Sequence, residues 1–197
     1  MSTAEPKTAI EQPLVTADEL LEISSELSMH GKRCELIEGK LIVMSPAQSP
    51  HGIIAGETFG LLYNHVRQNK LGKLFAAETG FTVSNRPHTV RAPDVAFVKQ
   101  ERVDALGKID KFFPEAPTLA VEVVSPSDKA EEVQAKAIMW IESGCEAVWI
   151  VWPGDQTVTD YRSLRDIRIL TADETLDGGG VVPGFAVKVA EIFAGLS

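Results

Sequence analysis

Long hydrophobic runs are missing from this chain. No apolar stretch approaches the roughly 18 residues that a membrane-spanning helix needs, so no such helix is expected. The first residues also lack the apolar core of a signal peptide, and a cytoplasmic location is expected. Cysteine is scarce: Cys34 and Cys145 are too few and too far apart for a disulfide framework or a zinc site. Positive charge is in short supply, with 19 Lys and Arg against 28 Asp and Glu and a formal net charge of −9. That balance argues against an indiscriminate nucleic-acid binder. Internal repeats and low-complexity tracts are absent. The glycine-rich stretch Asp177-Gly178-Gly179-Gly180 lacks the Lys-Ser/Thr pair of a phosphate loop and reads as a turn.

What remains is ordinary globular material, 44% hydrophobic and 24% charged over 197 residues. That length fits one domain, expected over residues 16–197 behind a loose arm at residues 1–15. Charge is uneven: between Gly60 and Lys111 nine Lys or Arg face five acids, so the middle is mildly basic.

Thr16 with Glu19 three residues on forms a capping box for a short helix carrying Leu20, Leu21, Ile23 and Leu27. Arg33–Glu38 and Lys40–Met44 alternate in polarity around Glu38-Gly39, which predicts a β-hairpin. A helix is predicted from about Pro50 to Asn69, with His51 in its first turn. Leu74–Val83 reads as one strand bent at Gly80, Val95–Val98 as a short strand, and Lys99–Pro117 as a charged loop anchored by Phe112-Phe113. Thr118–Val124, bounded by Pro117 and Pro126, reads as a buried strand. A helix capped by Ser127 or Asp128 runs to Gly144, followed by the apolar strand Ala147–Trp152. Later hairpins and a short helix at Val189–Phe193 complete a mixed α/β layer.

The buried strand contains one charge, Glu122, and an unpaired carboxylate there is costly. Period-2 alternation puts Asp94 on a face with Ala96 and Val98, and Glu122 on a face with Ala120 and Val124. If the two strands are neighbours, both acids converge at one end of the sheet, where oxygen ligands and water suit Mg²⁺ or Mn²⁺. Lys136 lies beside the apolar face of its helix, in position to point back over the strand ends. Ordinary explanations stay open at this point. Asp94 is equally a turn residue, Glu122 a solvent-facing residue of an edge strand, and Lys136 a side chain that snorkels to the surface. His51 and His65 are about 21 Å apart on one helix and do not share a metal. Ser125 has no accompanying base and reads as a turn residue.

Taken in order, several stretches carry a resemblance. They are Glu35-Leu36-Ile37-Glu38-Gly39-Lys40-Leu41, Met44-Ser45-Pro46 with His51, and Arg91-Ala92-Pro93-Asp94-Val95-Ala96-Phe97-Val98. They continue with Val121-Glu122-Val123-Val124-Ser125-Pro126-Ser127, Lys136, Gly144 with Val148-Trp149-Ile150-Val151, and Leu176-Asp177-Gly178-Gly179 through Pro183-Gly184-Phe185. Pro93-Asp94 with Glu122-Val123-Val124 resembles the PD-(D/E)XK nuclease signature. The whole set, over roughly residues 16–194, resembles the Uma family of restriction-endonuclease-like bacterial proteins.

The resemblance implies a restriction-endonuclease-like mixed β-sheet core flanked by helices, with extra β-hairpins at both ends. It implies a Mg²⁺-dependent (or Mn²⁺-dependent) nuclease acting on nucleic acid, DNA first, and working as a homodimer where both strands are cut. Asp94, Glu122 and the backbone carbonyl of Val124 would bind the metal. The signature lysine falls at position 124, where this chain has valine, and Lys136 is its substitute. His51, Glu35 and Glu38 are second-tier candidates. The alternative is a catalytically weak or inactive interaction module on the same fold.

Overall fold

The central strands of the main sheet are buried almost without a break, as a sheet covered on both faces requires. The structure is a computed structural model that describes residues 14–196. It opens with α1 (Ala17–Met29), β1 (Arg33–Ile37), β2 (Lys40–Met44), α2 (Ser49–Asn69) and β3 (Gly72–Ala76). The middle holds β4 (Phe81–Asn85), β5 (His88–Arg91), β6 (Val95–Lys99), α3 (Gln100–Leu106), β7 (Leu119–Val123) and α4 (Ala130–Glu142). The chain ends with β8 (Ala147–Trp152), β9 (Thr157–Ser163), β10 (Asp166–Leu170), β11 (Thr175–Asp177), β12 (Ala186–Lys188) and α5 (Val189–Ile192).

Six strands form the main sheet in the order β10-β9-β8-β7-β6-β3, and β7-β8 is its parallel pair. A parallel pair needs a crossover, and α4 supplies it. Val95, Phe97, Val121 and Trp149 pack with Ile54, Leu62 and Val66 of α2 on one face. Ala96, Ala120, Val148 and Ile150 pack with Val133, Ala137 and Trp140 of α4 on the other. Each large side chain so buried contributes on the order of 1.5–3 kcal/mol. A second sheet, β2-β1-β5-β4, carries the N-terminal hairpin; α1 covers it, with Leu20 packed on Leu36 and Val90.

The capping box at Thr16 and Glu19 forms as expected. The expected arm falls mainly outside the described residues. Within them Val15 is pinned, its N–H donating to the Gly39 carbonyl at 2.8 Å.

Three expectations need correction. Leu74–Val83 is two strands in two different sheets, because the chain turns at Glu78 (φ 75°) and Gly80 lies under Phe112, where a Cβ would stand 2.5 Å from the ring. The charged stretch after Lys99 begins with α3 rather than running as a loop throughout; its phenylalanines do anchor it, Phe113 buried and bridged to Phe81 and Phe112 packed on the Leu20, Leu36 and Val90 cluster. The crossover helix starts at Ala130 without a side-chain cap, since the Asp128 carboxylate instead accepts from the Ser125 N–H at 2.8 Å. That bond shapes the turn after β7.

Candidate active site

Strand β7 is flanked by β6 and β8, so Glu122 lies in the middle of the sheet and not on an edge. The antiparallel register pairs Val95 with Val121 and Ala96 with Ala120; one step beyond, Asp94 stands opposite Glu122. Asp94 follows Pro93 at the mouth of β6, and its Oδ2 accepts the Val123 N–H at 2.8 Å. This bond fixes one acid against the strand that carries the other.

The helices bring the remaining groups. His51, in the first turn of α2, places Nε2 3.2 Å from Asp94 Oδ2. On α4, Lys136 and Trp140 are one turn apart and reach the same carboxylate. Lys136 Nζ donates to Glu122 Oε2 at 2.6 Å, and Trp140 Nε1 donates to Oε1 at 2.8 Å. From β1, Glu35 accepts the Ala92 N–H at 2.8 Å and faces Arg91 Nε at 2.8 Å, an ion pair whose alignment is poor for a hydrogen bond.

These groups open on a cavity of about 510 Å³, whose lining includes Arg33, Glu35, His51, Asp94, Glu122 and Lys136. Asp94, Glu122 and Lys136, expected from the sequence to meet, do so, and Val124 lines the same cavity at the end of β7. His51 and Glu35 join them. Glu38 does not: it is exposed in the hairpin turn at φ 49°, with its N–H bonded to Thr89 Oγ1.

Sequence reasoning missed the hydrogen-bonding role of Trp140, since periodicity counts an indole as apolar and is blind to its N–H. It also missed Asp128, Gln48 and Arg33 as lining residues. Their loop and strand-end positions follow no period.

The local electrostatics follow from burial and these contacts. Burial pushes the Glu122 carboxyl up to about 7, with Lys136 opposing and Asp94 adding to the rise. For Lys136 burial works against the charge, but Glu122 and Glu35 outweigh it and raise its pKa. Asp94 is also buried, yet the His51 hydrogen bond, aided by the Val123 N–H and Lys136, holds it below the ordinary carboxylate value. The same hydrogen bond to Asp94 raises His51 against the effect of burial.

The donor chemistry fits a hard divalent cation. Four carboxylates (Glu35, Asp94, Glu122, Asp128) line the cavity against the cations Arg33 and Lys136. Among the described residues no group of three His, Cys, Asp or Glu is arranged to hold a metal. The two facing carboxylates of Asp94 and Glu122 would suit Mg²⁺, an ion that binds through one or two carboxylates and keeps several waters. Asp94 Oδ1 has no protein hydrogen-bond partner among the described residues, which leaves it available as a ligand.

Comparison with known proteins bears on this arrangement. A crystal structure described as "a putative nuclease belonging to DUF820 from Anabaena variabilis ATCC 29413" superposes with a TM-score of 0.78 at 22% identity, covering 93% of this chain and 99% of that one. That likeness shows the fold. No curated protein matches the chain. Among the described residues no helix is long and apolar enough to cross a membrane. The model of the Uma2 family, described as "Putative restriction endonuclease", matches residues 17–190, and the chain therefore belongs to that family.

Proposed function

We propose that the protein is a Mg²⁺-dependent (or Mn²⁺-dependent) nuclease that hydrolyses phosphodiester bonds, with DNA as the first substrate to test. The observation that carries this reading is the meeting of Asp94 and Glu122 from adjacent strands with Lys136 from the crossover helix, on one cavity. Asp94, Glu122 and the Val124 carbonyl would hold the ion, which when bound polarises the phosphate and lowers the pKa of its water. Lys136 keeps its charge beside Glu122 and offsets the negative charge that develops on the phosphate. His51 and the Val123 N–H both hold Asp94 Oδ2, so the carboxylate is oriented before substrate arrives. Valine at position 124 leaves the amine to α4.

One observation favours a second reading, a regulatory module without activity. Both Glu122 oxygens are already engaged, by Lys136 and by Trp140.

Calorimetric titration separates the two. Under the nuclease reading the wild type binds Mg²⁺ or Mn²⁺ and Asp94→Ala does not. No binding by either protein would leave the interaction module. Supercoiled plasmid nicking should then fall about 10²–10³-fold in Lys136→Ala and at least as far in Glu122→Ala. Unchanged nicking in both variants would assign the activity to a contaminant. Cutting both strands at one place would call for a homodimer, which sedimentation at assay concentration would reveal.

A further inference from the structure

Three cavities run into one another across this site. The central one shares Arg33, Met44, Ala92 and Asp94 with a neighbour of about 300 Å³. It shares Gln48, His51, Val124 and Ser125 with another of about 290 Å³. Together they form a trough whose two ends differ in chemistry. At one end stand Ser24, Ser25, Ser28, Lys32 and Arg33, with the exposed Glu78 carboxylate 3.6 Å from the Arg33 guanidinium. At the other stand Pro50, Pro126, Trp152 and Pro153, with Val124 between that end and the acids. This apolar end lies beyond the carboxyl ends of β7 and β8, the parallel pair, where crevices in α/β sheets take ligands.

We infer that the trough holds a single unpaired polynucleotide strand, with the base beside the scissile phosphate unstacked into the slot at Trp152 and the backbone on the other side running past Arg33 and the serines. This assignment rests on the nuclease reading for the position of the scissile phosphate. The chemistry of the two ends selects the ligand. A nucleotide strand is the chain molecule that joins flat apolar faces to charged phosphates at one-residue spacing, and aromatic faces take bases by stacking regardless of sequence. Arg33 and Lys32 suit phosphate, and the serine hydroxyls donate to its oxygens. A paired duplex keeps its bases inside and presents none to the slot, so the trough discriminates against it. One strand passing through one trough needs no second copy, and a single protomer then suffices.

Trp152 provides its own reporter. Trp140 and Trp149 are fully buried, and Trp152 is half-exposed, so solvent quenching of the fluorescence reads Trp152. The experiment uses the full chain in EDTA, which prevents cleavage. Twelve-residue oligothymidylate and oligouridylate are compared with a blunt twelve-base-pair duplex, and their relative affinities identify the sugar. Either single strand should shield the fluorescence from acrylamide and bind at least tenfold tighter than the duplex. Trp152→Leu should lose that binding at least tenfold while Trp152→Phe retains it. Mg²⁺ titration should be unchanged in both. Arg33→Ala should lower the salt dependence by about one unit of slope.

The acrylamide measurement on the wild type stands even if Trp152→Leu fails to fold, because the Trp152 indole N–H also bonds Thr159 Oγ1 at 3.0 Å. Unshielded fluorescence with both single strands, or tighter binding of the duplex, overturns the inference. Nicking that persists in such a result leaves the nuclease reading intact. Shielding by a single strand that Mg²⁺ does not then cause to be cleaved leaves the strand trough and removes the catalysis.

Discussion

Glu122 and Asp160 are both buried in the six-stranded sheet, and each is held by one indole and one cation. Glu122 takes Trp140 Nε1 at 2.8 Å and Lys136 Nζ at 2.6 Å. Asp160 takes Trp149 Nε1 at 2.9 Å and Arg162 Nε at 2.8 Å. They occupy opposite faces: Glu122 faces α4, and Asp160 stands beside its register partner Trp149 on the α2 face. The difference lies in what surrounds the carboxylate. Glu122 has a second acid opposite it and a cavity before it. Asp160 lines none of the cavities described above, and its arginine turns away to hold the carbonyls of Gly178 at 3.0 Å and Asp177 at 2.5 Å. An indole and a cation beside a buried acid are therefore not by themselves the mark of a functional site. The open side and the second carboxylate are what set Glu122 apart.

The comparison breaks first at Arg162. Arg162→Ala strips Asp160 of its cation and frees two carbonyls of the glycine turn, so urea denaturation should show a loss of about 3–5 kcal/mol with Mg²⁺ affinity unchanged in the folded fraction. If Mg²⁺ affinity fell as well, the two clusters would not be independent. Next comes Trp140→Phe, which removes one donor from Glu122 and should cost about 1–3 kcal/mol in the same measurement. It should also disturb Mg²⁺ binding, which the Arg162 change does not.

A smaller effect is expected in acid. Burial raises Asp160 above 3.8 despite Arg162 and Trp149, so the folded state binds its proton more tightly than the unfolded chain. Between the unfolded value and that raised folded value, this group makes stability fall as pH rises. Asp160→Asn should remove that contribution, and a denaturation series over the window just above pH 3.8 would show the change in slope. The smallest effect belongs to Glu38→Ala, an exposed turn change expected to alter stability by no more than about 0.5 kcal/mol and to leave metal affinity untouched.

The catalytic candidates were legible because each follows a period. Asp94 and Glu122 sit at even positions of short strands whose odd positions face α2, and Lys136 lies one turn before Trp140 on an amphipathic helix. What made the meeting real was adjacency of β6 and β7, which alternation permits but does not dictate. The Asp160 cluster was not legible, since its acid and arginine sit in an ordinary alternating hairpin and its indole comes from another strand. Leu74–Val83 was misjudged for a similar reason. A continuous β-prone run carries no sign of which sheet each half will join, and the ring that leaves no room for a side chain at Gly80 is Phe112, over thirty residues away.

Lys136 and Trp140 ride on one rigid rod, whose packed face of Val133, Ala137 and Trp140 fixes its rotation on the sheet. Adding a single residue inside the first turn of α4 would shift both donors about 100° around the axis relative to the start of the helix, leaving the acids where they are and taking their partners away in one stroke. The amine need not stay at one address in the chain: any scaffold segment able to deliver an ammonium tip to Glu122 would serve. Under the nuclease reading, the amine that valine at position 124 cannot supply reaches the acids from the neighbouring helix.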